Sequence, residues 1–160
     1  MTTSIASNTL NILTTQKIQI AIKASPEQVW DALTNGDTTP AYYVGFTAEF
    51  DLTPGAPYRY SAGGGDVITG NVISVEPGKE LVTTFNGLWD PGVAQLPEST
   101  VTFTIFEPSM PMPGVTLLSV VHEGLPDTPV AAHLEIGWVM ILSGLKTLLE
   151  TNAPIFTPPH

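Results

Sequence analysis

The sequence contains no cysteine, a single arginine and only four lysines. Without cysteine there is no disulfide framework and no thiolate nucleophile or ligand, and the redox compartment stays open. Five Lys+Arg against fifteen Asp+Glu give a formal net charge of -10. Such a surface repels phosphate backbones and anionic bilayers, so no nucleic-acid partner is expected. The N-terminal MTTSIASNTLNILTTQK has neither the basic start nor the continuous apolar run of a signal peptide. The most apolar stretch, HLEIGWVMILSGLKTLLETN at 133–152, is interrupted by His133, Glu135 and Lys146. That argues against membrane insertion. A soluble, cytoplasmic protein is the expectation.

What is present suits one packed domain. The chain has 160 residues, 42% of them hydrophobic, enough for a single core and too apolar for disorder. No internal repeat or second domain is legible. Residues 1–15 read as a flexible tail, with Leu10, Ile12 and Leu13 able to add a short edge strand. Residues 16–152 read as the domain, and 153–160, broken by Pro154, Pro158 and Pro159, as a C-terminal tail.

In KIQIAIK, 17–23, Ile18, Ile20 and Ile22 alternate with polar or small residues, the period of a half-buried strand. SPEQVWDALT follows with an N-cap at Ser25, Pro26 at the first helical position and Gln28 completing a capping box. Gly36 is expected to end this helix. TTPAYYVG holds a second short turn starting at Pro40. From 46 to 122 the pattern is strands and turns: FTAEFDL, YRYS, a GGG hairpin tip at 63–65, DVITGNVISVE with Gly70 as a bulge, ELVTTF, a long loop NGLWDPGVAQLPE, STVTFTIFE and VTLLSVVHE. A final helix runs from about Thr128-Pro129 to Asn152, some 35 Å long. A sheet with one apolar face needs a cover, and only this helix is long enough. The expected class is α+β: seven curved antiparallel strands wrapped around the long C-terminal helix, with two short helices after the first strand.

Several words in the chain narrow this further: SPEQVWDALT, PGAPYRY followed by GNVISVEPGKELVTTF, HEGL after the last strand, and GWVMILSGLKTLLET. The helix pattern G-W-x-x-x-L-x-x-L-K-x-x-L-E, Gly137 to Glu150, is the most specific. Over about residues 16–152 the chain resembles the helix-grip fold of the START-like and birch-pollen-allergen-like superfamily. Within it, the chain is similar to the family related to the activator of the ninety-kilodalton heat-shock-protein ATPase. The resemblance implies a cavity between sheet and C-terminal helix for an apolar or amphipathic small molecule. The superfamily holds lipid and hormone binders, cyclases, hydrolytic or lyase-type enzymes and co-chaperone domains, so fold alone does not choose among them.

The residues supply candidates. Tyr42, Tyr43, Phe46, Phe50, Phe85, Trp89, Phe103, Trp138 and Ile141 are expected to line the cavity, and of these Tyr42, Tyr43 and Trp89 to border its mouth. Tyr58 and Tyr60 flank Arg59 on one strand, so either the tyrosines or the arginine face inward. The tyrosines cover more apolar area and are favoured. His122 is placed at the mouth, where its imidazole suits acid–base work. His122-Glu123 and His133 do not complete H-E-x-x-H, because position 126 is Pro126, so no metal is expected. No organic cofactor is expected either. Gly137 and Gly144 lie only about 20° apart on the helix. Gly137 either opens ligand space or permits close packing; close packing is favoured for Gly144. The leading functional expectation is binding of a small hydrophobic ligand without chemistry. The alternatives are a cofactor-free cyclase, lyase or hydrolase using His122, Tyr58 and Tyr60, and a module that binds a chaperone or another protein. A homodimer through a sheet edge or the loops stays open.

Overall fold

The computed structural model describes residues 12 to 156. Its elements follow the order β1 (Leu13–Ile22), α1 (Pro26–Thr34), a 3₁₀ turn (Thr39–Ala41), β2 (Thr47–Phe50), β3 (Pro57–Ala62), β4 (Gly65–Glu76), β5 (Glu80–Gly87), α2 (Pro91–Ala94), β6 (Ser99–Phe106), β7 (Thr116–Pro126) and α3 (Pro129–Thr151). The seven strands form one sheet, ordered β1-β7-β6-β5-β4-β3-β2, with every neighbouring pair antiparallel. From β2 to β7 each strand pairs with the next in sequence, as short turns dictate. Only β1 leaves that order, closing against β7.

β1 starts earlier than its isoleucine alternation suggests. Leu13, Thr14 and Thr15 belong to the strand, pairing with Pro126, Leu125 and Glu123, so Leu13 of the expected edge strand is continuous with β1. Leu10 and the end of the expected C-terminal tail lie outside the described residues.

The local chemistry of α1 matches its sequence. Ser25 accepts from the Gln28 amide while the Gln28 side chain accepts from the Ser25 amide. Asn35, not Gly36, is the C-cap. Gly36 serves another purpose: a Cβ there would stand 2.3 Å from the Ala48 carbonyl oxygen, so only glycine lets β2 cross the end of α1. Gly70 is likewise not a bulge. Its register with Tyr58 is regular, and a Cβ would collide with the Thr84 carbonyl at 2.4 Å. The irregularities in β4 fall at Val72–Ser74 against β5 and at Val67, opposite Tyr60–Ser61, against β3. The loop expected at 86–98 contains the short helix α2, capped by Asp90, which accepts from Gly92 and Val93 amides ahead of Pro91.

α3 lies in the sheet's concave face. By length and composition it would pass for a membrane span, but Trp138, Ile141, Leu142 and Leu145 close the core. Each large side chain buried this way contributes about 1.5–3 kcal/mol. β1 runs beside α3 and is fastened to it at three heights, by Gln16 to Ala131, Lys146 to Ala21 and the Lys23 amide to Glu150. A smaller cluster of Val93, Leu125, Ala131 and Leu134 packs under α2. The opposite side of α3 leaves Ile136, Val139 and Met140 exposed.

Candidate functional site

Strand alternation sends Tyr58 and Tyr60 inward and Arg59 outward. Both tyrosines are buried, while Arg59 is exposed and pairs with Glu49 and Asp66. This decides the question the sequence left open, in favour of the tyrosines.

Inward aromatics from five elements meet in an unbroken series. Phe50 and Tyr58 stack with ring centroids 5.1 Å apart. Tyr60 stands edge-on to both, at 5.8 and 6.1 Å. Tyr43 follows at 4.6 Å from Tyr60, then Trp138 at 6.1 Å from Tyr43. Trp138 is bordered by Phe103, Phe85 and His122. A side branch runs from Tyr43 through Phe46 to Trp89 and on to Phe85. Ile141 is buried in the same core.

One end of the series reaches solvent. Phe50 and Tyr58 form part of the wall of an open groove of about 740 Å³, shared with Thr34, Asn35, Gly36 and Ala48 and rimmed by the Glu49–Arg59–Asp66 ion pairs. The other end is sealed. The Tyr43 ring, on the connection after the 3₁₀ turn, fills the space between Tyr60 and Trp138. The cavity expected there is occupied by the protein's own side chains. A crevice of about 10 Å³ beside Phe85, Ser99, Leu125 and Leu134 has room for about one water.

His122 lies at the sealed end, fully buried, not at a mouth; β7 continues past it to Pro126. The Trp138 indole N–H, which can only donate, points to His122 Nδ1 at 3.0 Å. The neutral ring therefore carries its proton on Nε2 and donates to Ser99 Oγ at 2.7 Å. Ser99 can then donate to the Phe85 carbonyl. Burial lowers the His122 pKa to about 4, and protonation would set an Nδ1 proton against the indole N–H. His122 thus holds no free lone pair for proton abstraction, and Ser99 faces a donor, not a base.

Tyr58 is similarly committed. The Tyr58 hydroxyl donates to the Thr84 carbonyl at 2.6 Å, and burial pushes its pKa up to about 12. Burial raises Tyr60 and Tyr43 well above the ordinary phenol value. As arranged, the His122 nitrogens and the Tyr58 hydroxyl are already engaged within the core, and burial keeps Tyr60 a neutral phenol. Tyr42 does not border a mouth. It is buried, and its hydroxyl donates to the Ala32 carbonyl at 2.6 Å, tying the 3₁₀ turn to α1. Trp89 does sit at the surface, 41% exposed.

The two helix glycines part company. A Cβ on Gly144 would meet the Tyr42 carbonyl at 3.3 Å, whereas one on Gly137 would meet nothing within 4 Å. Gly137 is exposed and lines no cavity. It projects about 100° from Trp138, the centre of the buried face.

The sequence reading missed Gln16, a buried polar residue on the inward face of β1. The signal was available, since Gln16 is in phase with Ile18, Ile20 and Ile22.

The family model described as Activator of Hsp90 ATPase homolog 1-like protein matches residues 23–150. The chain belongs to this family. Its members share the helix-grip architecture seen here, and solved structures agree. MLL2253 from Mesorhizobium loti is 27% identical, with a TM-score of 0.67 over 86% of this chain and 97% of that one. DynU16, a protein in the dynemicin biosynthetic locus, is 25% identical, with a TM-score of 0.69 over 88% of this chain and 48% of its own. This family member thus spans about half the length of DynU16. An HSP90 activator from Plasmodium falciparum shares the fold at 21% identity, with a TM-score of 0.68 over 85% of this chain and 96% of that one. No curated protein matches the chain.

Proposed function

We propose that this protein binds an apolar or amphipathic small molecule between its sheet and α3, and performs no chemistry on it. The observation that carries this reading is the aromatic series joining an open groove to a buried polar row. Phe50 and Tyr58 greet the ligand at the groove. Tyr60 and Tyr43 lie next, and Trp138, His122 and Ser99 form the far end. A core that needed only stability has no use for a hydrogen-bonded histidine and serine at its centre, since apolar residues of the same shape serve as well. The filled space requires that the Tyr43 ring, on the connection between the 3₁₀ turn and β2, swing aside on binding. The likeness to DynU16, a protein in a biosynthetic locus, supports a small-molecule ligand.

Thermal-shift and native mass spectrometry against long-chain lipids, steroids and aromatic polyketides test the proposal. One-to-one adducts with a raised unfolding midpoint are expected. Tyr43→Ala, which empties the gap, should take up ligand more readily. A folded Tyr43→Ala protein that binds nothing in this panel would contradict the reading.

A second reading rests on a different observation, the exposed Ile136, Val139 and Met140 on α3. Exposed apolar strips mark protein contacts, and the family's description names an activator of a chaperone ATPase. Stimulation of that ATPase by this protein, lost in Ile136→Asp, would support a chaperone contact. No stimulation at high protein concentration would remove it.

A further inference from the structure

The polar row beneath α3 contains one unfinished hydrogen bond. Gln16 lies on the inward face of β1, directly opposite His122 in the β1–β7 register, and is only 6% exposed. Its Nε2 donates to the Ala131 carbonyl in the first turns of α3 at 2.8 Å. Among the described residues, its Oε1 is the one buried side-chain atom left without a partner. Turning the amide over would set that oxygen against the Ala131 carbonyl, so the orientation is fixed by chemistry.

Trp138 and His122 have no donor to spare. The Trp138 N–H is spent on His122 Nδ1, and the His122 Nε2 proton is spent on Ser99. A buried carbonyl oxygen without a donor carries the full cost of its lost hydration. The same strand face elsewhere holds isoleucine at 18, 20 and 22, so an apolar residue was the cheaper choice at position 16.

Building on the ligand-binding reading, we propose that Gln16 Oε1 receives a hydrogen-bond donor on the bound molecule, a hydroxyl or amine at the leading end of an apolar body. An acceptor at the end of the site selects against carboxylates, which have only acceptors to offer when ionised. The site therefore discriminates an alcohol from its ether and from its acid.

The test compares 2-naphthol, which can donate, with 2-methoxynaphthalene and 2-naphthoate, which cannot. Wild-type protein is expected to bind the naphthol at least tenfold more tightly than either. In Gln16→Met the preference should fall below threefold, with the affinity for the ether unchanged. In the wild type alone, the Gln16 side-chain carbonyl carbon should shift in NMR with the naphthol and not with the ether. This second measurement does not depend on the variant folding. Equal affinities for naphthol and ether, a preference that survives Gln16→Met, or an unmoved Gln16 carbonyl would overturn the proposal while leaving ligand binding intact. If the wild type binds none of the three, the ligand-binding reading fails and takes this inference with it.

Discussion

The two ends of the aromatic series are built on opposite terms. At the groove, Phe50 and Tyr58 stack beside solvent, and the charged rim is exposed, Arg59 with Glu49 and Asp66. At the far end, Trp138 and His122 are buried and their polar atoms are spent on each other and on Ser99. The same residue types therefore do different work. At the rim Phe50 is only partly buried, while Tyr58 beside it is buried and anchored through its hydroxyl to Thr84. Rings at the sealed end fix one tautomer, one rotamer and one register of α3 against the sheet. A binding site needs both, an open entrance and a pre-set terminus.

This contrast breaks most clearly under truncation. Trp138→Ala should cost about 3–5 kcal/mol in a denaturant titration, because it removes a buried ring and strands the His122 Nδ1 acceptor. Phe50→Ala, with one side already near water, should cost less than half as much. Equal costs would mean that the groove end is as firmly built as the sealed one.

Acid should expose the sealed end alone. His122 is held neutral, with a pKa of about 4 in the fold against about 6.5 when unfolded. The unfolded chain therefore takes up a proton that the native one refuses as pH falls from about 6.5 to 4, and stability falls with it. Between pH 7 and pH 5 this contribution amounts to about 2 kcal/mol, by the conversion of 1.36 kcal/mol per pKa unit. His122→Gln should lack that loss when the two proteins' unfolding curves are subtracted. An identical pH dependence would show that the ring is not buried neutral.

Gly137 marks where the sealed end stops. Gly137→Ala should raise stability by about 0.5–1 kcal/mol through helix propensity alone, without affecting ligand uptake. Gly144→Ala, pressed on the Tyr42 backbone, should gain less or lose. At the rim, Arg59→Gln should leave the unfolding midpoint close to that of the wild type, since its ion pairs are exposed.

Local signals made much of the fold legible. The Ser25 capping box, the isoleucines of β1, the hairpin glycines and the 129–151 helix all act within a few residues of themselves. The inward turn of Tyr58 and Tyr60 followed from area alone. What the sequence hid depends on contacts between distant elements. Nothing near Tyr43 says that its ring enters the space between Tyr60 and Trp138. His122 looked free because its partners lie sixteen and twenty-three residues away. Gly137 was misplaced because Ile136, Val139 and Met140 widen the apolar arc of α3 beyond the part that is buried. A helical wheel records composition, not which part of the arc the sheet covers.

The central claim is that a small molecule travels this series to Trp138. The most direct measurement is the fluorescence of Trp138 as the only tryptophan, in a Trp30→Phe, Trp89→Phe background, titrated with the lipid, steroid and polyketide panel. The account predicts a saturable, one-site change in Trp138 emission for at least one ligand, with a steeper onset in Tyr43→Ala. Saturable binding that leaves Trp138 unchanged would contradict it.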